Sequence, residues 1–169
     1  VSARRVPVRR AGRCDVRGLS TVEFAVVGAV VFLILFGVIE VSRAAFTRAM
    51  LEEGARRAAR LAAVCPIDDP YIVAAARFTD KDWGVRILPG LGAGNVTLRY
   101  LDENGAVVGD PITDFTAIRF VRITVAGHQV PLFIPFFDLT YKPGPVSSTQ
   151  PAESLGVTPT EITPCQPSP

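Results

Sequence analysis

"FAVVGAVVFLILFGVI", Phe24 to Ile39, decides how the rest of this 169-residue chain is read. It contains no polar side chain. With Leu19–Val22 before it and Val41 after it, the span reaches the ~20 residues that a helix needs to cross ~30 Å of hydrocarbon. Gly28 and Gly37 fit that role, because glycine is common in membrane helices. Charged residues make up only 20% of the chain and the mean hydropathy is +0.31. That apolar excess sits in this one run.

Its flanks are asymmetric. Residues 1–18 carry six Arg and one Asp, residues 19–64 carry five Arg and four Glu, and residues 65–169 carry seven basic and eleven acidic side chains. A basic block beside an apolar run predicts a cytoplasmic N-terminus and an exported C-terminus. Arg43 and Arg48, on the far side, oppose that bias weakly. The arginines of the block are not interleaved with aromatics and a membrane segment accounts for them, so nucleic acid is not an expected partner.

Beyond the run, "EVSRAAFTRAMLEEGARRAARLAAV" (Glu40–Val64) has no proline and is rich in good helix formers. Phe46, Met50, Leu61 and several alanines mark a thin apolar side. Glu52–Arg56 and Glu53–Arg57 are Glu-to-basic pairs at i,i+4. One helix is expected from about Thr21 to about Val64, half in lipid and half beyond it, with Pro66 enforcing a stop.

Residues 65–142 read as a small exported domain of helix and antiparallel sheet, which makes the expected fold class α+β. A short helix starts near Pro70, with Asp68 and Asp69 at its N-terminus. "WGVRIL" (Trp83–Leu88) and "NVTLRYL" (Asn95–Leu101) alternate as strands do. The second joins "AVVG" through Asp102–Gly105, a hairpin pattern with Asn104-Gly105 as turn residues. "IRFVRITVAG" (Ile118–Gly127) is the clearest strand. "VPLFIPFFDLTY" (Val130–Tyr141) is apolar but broken by Pro131 and Pro135, so it is an edge strand or a packed loop. Residues 143–169, rich in Pro, Ser and Thr, read as a flexible tail. The expected segments are therefore 1–18 as a basic leader, 19–41 as a transmembrane helix, 42–64 as its exported continuation, then the domain and the tail.

Three cysteines leave one over. Cys14 lies in the leader, on the reducing side. Cys65 and Cys165 lie on the exported side, where disulfides persist. Either they pair, closing a long loop, or they are unrelated thiols.

The acid at the start of the run, Glu23, has two explanations. Ser20-Thr21-Val22-Glu23 matches a capping box, in which Ser20 and Glu23 satisfy each other's backbone. That does not explain Gly18, or the order of basic leader, Gly, four residues, Glu, Phe and apolar helix. This order resembles a prepilin-type signal, with Leu19 as the new N-terminus, Glu23 fifth and Phe24 sixth. The resemblance extends through "LFGVIEVSR" (Leu35–Arg43) and "EEGARRAARLAAV" (Glu52–Val64). Gly18–Val64 as a whole is similar to the TadE-like family of tight-adherence (Flp-type) pilus assembly proteins. Past Val64 only "VRITV" and the apolar, proline-containing stretch after it look familiar, and the Pro/Thr-rich tail departs from the pattern.

The resemblance implies a pseudopilin (minor pilin) of the bacterial inner membrane, cut between Gly18 and Leu19 by a membrane prepilin peptidase. It implies as partners that peptidase, the membrane, other pseudopilins or pilins and the pilus assembly platform. For Glu23, with Phe24 beside it, it implies a register-setting role. The freed ammonium of Leu19, on the same or a neighbouring chain, would pair with the carboxylate, since a buried carboxylate needs a partner.

No catalytic residue, metal, cofactor or small-molecule substrate is expected. His128, the single histidine, sits beside Gly127 in a turn-type sequence. No nucleophile elbow, zinc-protease helix motif, P-loop or C-x-x-C is present. Asp80 and Asp82 read as a solvated turn. Glu40 reads as the point of emergence into the interface, or as a second register charge. Two other classes fit the same apolar run. One is a secreted binding protein with an ordinary signal peptide, cut near "VSRA" (Val41–Ala44). The other is an uncleaved, membrane-anchored adhesin or sensor domain. A membrane enzyme fits less well.

Overall fold

The computed structural model describes residues 17–79, 87–134, 138–158, 161, 162 and 165; for Arg17, Gly18 and Leu19 it describes the backbone alone. It divides into two units, Val1–Ile39 and Glu40–Pro169. Helix α1, Arg17–Val64, runs through both without a break. The fold class is α+β, as expected, although the helix begins before Thr21.

In the first unit, the apolar side chains from Val22 to Ile39 are all exposed. The most hydrophobic part of this helix has no residue buried within the chain. Among the described residues none covers this apolar surface, which has the length and composition to cross a membrane.

In the second unit, α1 buries Leu51, Ala55, Ala58, Ala59 and Ala62, a stripe at helical spacing. The apolar side expected around Phe46, Met50 and Leu61 is displaced: Phe46 is exposed, while Met50 and Leu61 lie only at the edge of the core. Alanines occupy the centre because their small side chains let the sheet approach the helix backbone closely. Helix α2 (Pro70–Ala76) is capped by Asp69, whose Oδ1 accepts from the N–H of Tyr71 at 2.8 Å. This is the start signal the sequence carries.

Five strands are described: β1 (Val96–Leu101), β2 (Phe120–Val125), β3 (Val130–Leu132), β4 (Leu139–Tyr141) and β5 (Val146–Pro151). β1, β2 and β5 form an antiparallel sheet with β2 in the middle; β3 and β4 form a separate antiparallel pair. On β2, Val121, Ile123 and Val125 are buried while Arg122 is exposed. These three join Tyr100, Ile72 and the α1 stripe in one core.

Three differences from the sequence reading stand out. Residues 143–169 are not a tail throughout, because Val146–Pro151 is a strand paired with β2 from Phe120↔Pro151 to Val125↔Val146. At a sheet edge only Val146 needs burial, and Ser, Thr and Gln suit the exposed positions. The "AVVG" hairpin arm shrinks to a single bridge, Leu101↔Val107. Asp110, accepting from Ile112 and Thr113, then turns the chain away. In "WGVRIL", Trp83–Arg86 lies outside the described residues, and Ile87–Leu88 is a bend rather than a strand. The expected Glu52–Arg56 pair forms at 3.9 Å, with Arg56 also 3.5 Å from Glu53, and the Arg57 guanidinium lies 5.9 Å from the Phe78 ring centre.

Candidate functional site

The first part of the site is the start of α1. Gly18 and Leu19 have helical backbone, and Glu23 and Phe24 are exposed. Because the helix is already running at Arg17, Ser20 is inside it and is not an N-cap. The capping-box explanation of Glu23 therefore does not apply in this structure. Leu19 precedes Glu23 by one helical turn, so the Leu19 nitrogen and the Glu23 carboxylate lie above one another on one face. At 100° per residue that face continues through Val27, Val30, Ile34 and Gly37. A Cβ added at Gly37 would meet nothing within 4 Å. Such a position lets a neighbouring helix come close.

The second part is where the apolar run ends. Glu40 is buried to 8% residual exposure. Nη1 of Arg43 donates to both of its carboxylate oxygens, at 2.8 and 3.0 Å. The guanidinium in turn lies over the ring of Phe133, 4.3 Å from its centre, within the ~6 Å range of a cation–π contact. By sequence Glu40 reads as the point of emergence into the interface, or as a second register charge. In the structure it is a buried partner of Arg43, whose guanidinium in turn lies against Phe133.

The third part locks the far end of α1. The last helical carbonyls, which no intrahelical N–H can reach, accept from the C-terminal segment. Glu153 N and Leu155 N donate to the Ala63 oxygen at 2.9 and 3.3 Å, and Gly156 N donates to the Val64 oxygen at 2.6 Å. Gly156 (φ +78°) turns here, and a Cβ on it would lie 2.5 Å from Pro66 Cγ. Cys65 and Cys165 are joined by a disulfide, and Cys165 N donates to Asp69 Oδ2 at 3.0 Å. Asp69 thus caps α2 and holds the C-terminal segment at once. Gly54, a weak point by helix propensity, has a packing reason: a Cβ there would run into the carbonyl oxygen of Ala76.

Nothing described assembles a catalytic centre. His128 is buried, and its Nδ1 has no hydrogen-bond partner among the described residues. Burial pushes its pKa below the usual histidine value. Asp102 accepts from Asn104 N and Ala106 N, which is turn chemistry. No group of three or more potential metal ligands occurs among the described residues. Asp80 and Asp82 lie outside them. The sequence did not single out Gly54, Arg43 or Phe133 for these contacts, since each acts through a partner distant in the chain.

Among the described residues one helix has the length and composition to cross a membrane, and the α+β unit that follows is closed by a disulfide. Residues 18–60 match the family model described as TadE-like protein. Over that segment the chain is similar to TadE-like proteins, a likeness that fits a part in tight-adherence pilus assembly in association with the membrane. The match covers the apolar run and most of the helix beyond it, and stops short of the sheet. No curated protein and no solved structure matches the chain.

Proposed function

We propose that the chain is a pseudopilin-like structural component of a tight-adherence pilus. In this reading a prepilin peptidase cuts between Gly18 and Leu19. The helix stays in the inner membrane or joins a short fibre, the N-terminus is cytoplasmic, and the domain is exported. Its work is mechanical: it binds other pilin-type helices and the assembly platform, and performs no catalysis.

One observation carries the reading. Among the described residues the apolar helix surface is exposed, and it bears the Glu23 carboxylate one turn after Leu19. Once Leu19 is a free ammonium, a bundle of such helices satisfies both charges only in the correct register. Misregistered helices leave a bare charge in hydrocarbon, at a cost of ~2.5–3.5 kcal/mol on the insertion scale. The test compares Glu23→Ala with the parent chain in cells that carry the whole machine. Membrane insertion is expected to be unchanged, and recovery of the chain with sheared pilus or pseudopilus material to fall sharply. Normal incorporation of Glu23→Ala refutes the register role.

A further inference from the structure

The three-stranded sheet turns one face to the core and the other outward. Val121, Ile123 and Val125 take the inner positions of β2, so Phe120, Arg122 and Thr124 take the outer ones. Arg122 stands directly opposite Arg99 of β1 on one side and Thr149 of β5 on the other. Both arginines are exposed, and Arg122 Nε donates to Thr149 Oγ1 at 3.1 Å. Like charges directly opposite on neighbouring strands destabilise a sheet. No outer position of the three strands holds an acid to offset this. Among the described residues neither guanidinium makes an ion pair. The acids lie elsewhere in the same unit. Residues 102–117, between β1 and β2, carry Asp102, Glu103, Asp110 and Asp114 and no basic residue. Asp102 and Asp110 are engaged in their own turns, whereas Glu103 and Asp114 are exposed. The same loop leaves Val107 52% and Ile112 77% exposed. A cationic face without anions and an anionic, partly apolar loop without cations are complementary surfaces.

We propose that the outer sheet face around Arg99 and Arg122 receives the 102–117 loop of a second copy of this chain. Glu103 and Asp114 meet the two guanidinia, and Val107 and Ile112 lie against the apolar outer pair, Phe120 and Pro151. The face and the loop are different surfaces, so the contact is heterologous. Repeated from copy to copy, it builds a ring or an open filament rather than a two-fold dimer. The proposal rests on the reading of the chain as an assembly subunit, and names the surface through which its domains meet. The two fail separately, because the Glu23 register acts through the apolar helix and this contact uses only residues of the Glu40–Pro169 unit.

Charge reversal in the full-length protein tests this, with recovery of an untagged copy by a tagged copy in mild detergent as the readout. Arg99→Glu/Arg122→Glu reverses the face, and Glu103→Lys/Asp114→Lys reverses the loop. Each variant alone should lose self-recovery by about tenfold, because like charges then meet across the contact. Mixed, the two variants should recover each other, since the reversed face of one suits the reversed loop of the other. Recovery of the parent should fall as salt is raised. Arg99→Gln/Arg122→Gln relieves the cross-strand repulsion, so it should unfold no earlier than the parent and still self-associate more weakly. If the reversed variants, or the folded Gln pair, self-associate as the parent does, the apolar helices alone hold the copies together. The face–loop contact is then overturned and the pilus reading stands. Failure of the mixture to restore recovery, or a parent that does not self-associate, also overturns it.

Discussion

Replacing Gly54 by alanine sets two effects of opposite sign against each other. On an open helix surface Gly→Ala stabilises by about 1 kcal/mol, since glycine is the poorer helix former. Here the new Cβ would run into the carbonyl oxygen of Ala76, and would sit 3.2 Å from Phe78 Cε2 and 3.4 Å from Ala76 C. The obstacle is backbone at the end of α2, where Ile72, Ala75 and Ala76 are buried. It cannot swing aside as a side-chain tip can. Overpacking of this kind costs about 1–3 kcal/mol, so the net effect is a loss of ~1 kcal/mol. In a domain of this size that lowers Tm by about 4 °C. Gly37→Ala is the control: it meets nothing within 4 Å and lies in the first unit. Thermal unfolding of the detergent-solubilised full chain, followed by near-UV circular dichroism, measures both. A rise in Tm for Gly54→Ala would mean that α1 and α2 are not packed as described.

The disulfide should be a main source of domain stability. It spans 100 residues, and by loss of unfolded-chain entropy Cys165→Ser or reduction should cost about 4–5 kcal/mol; denaturation with and without reductant checks this, and equal midpoints contradict it. His128 should make stability depend on pH. Burial holds its folded pKa below the model-peptide value of 6.5, so its contribution is complete above pH 6.5 and is lost as pH falls through the folded value. Tm should therefore drop between pH 7.5 and 5.5, and His128→Gln should flatten that slope; an unchanged slope removes His128 from the account. The hydroxyl of Tyr100, its pKa pushed up to about 12, chiefly by burial, accepts from Asp68 N at 3.0 Å. Tyr100→Phe should cost about 1 kcal/mol and speed hydrogen exchange at the Asp68 amide, and unaltered protection there would contradict the contact.

What was legible in the sequence was local. The apolar run and its alanine-rich continuation announce α1, Asp69-Pro70 announces the start of α2, and alternation marks β1 and β2. What stayed hidden depends on distant partners. Val146–Pro151 looks like coil by composition, and becomes a strand because β2 has a second edge to fill. Glu153–Gly156 gives no local sign that it will finish a helix ending at Val64. Gly54 is a poor helix former by propensity, and only the close approach of Ala76 explains it. At the candidate site, the spacing of Gly18, Leu19, Glu23 and Phe24 was visible as a pattern. The stacking of Arg43, the partner of Glu40, on Phe133 was not, because it joins α1 to a residue far along the chain.

The most direct measurement is the N-terminal sequence, with intact mass, of the protein purified from its own cells with the peptidase active. The account predicts a chain that begins at Leu19, so that a free amine lies one turn from Glu23. A chain that keeps Gly18 and the arginines before it, or one that begins beyond Glu23, contradicts it.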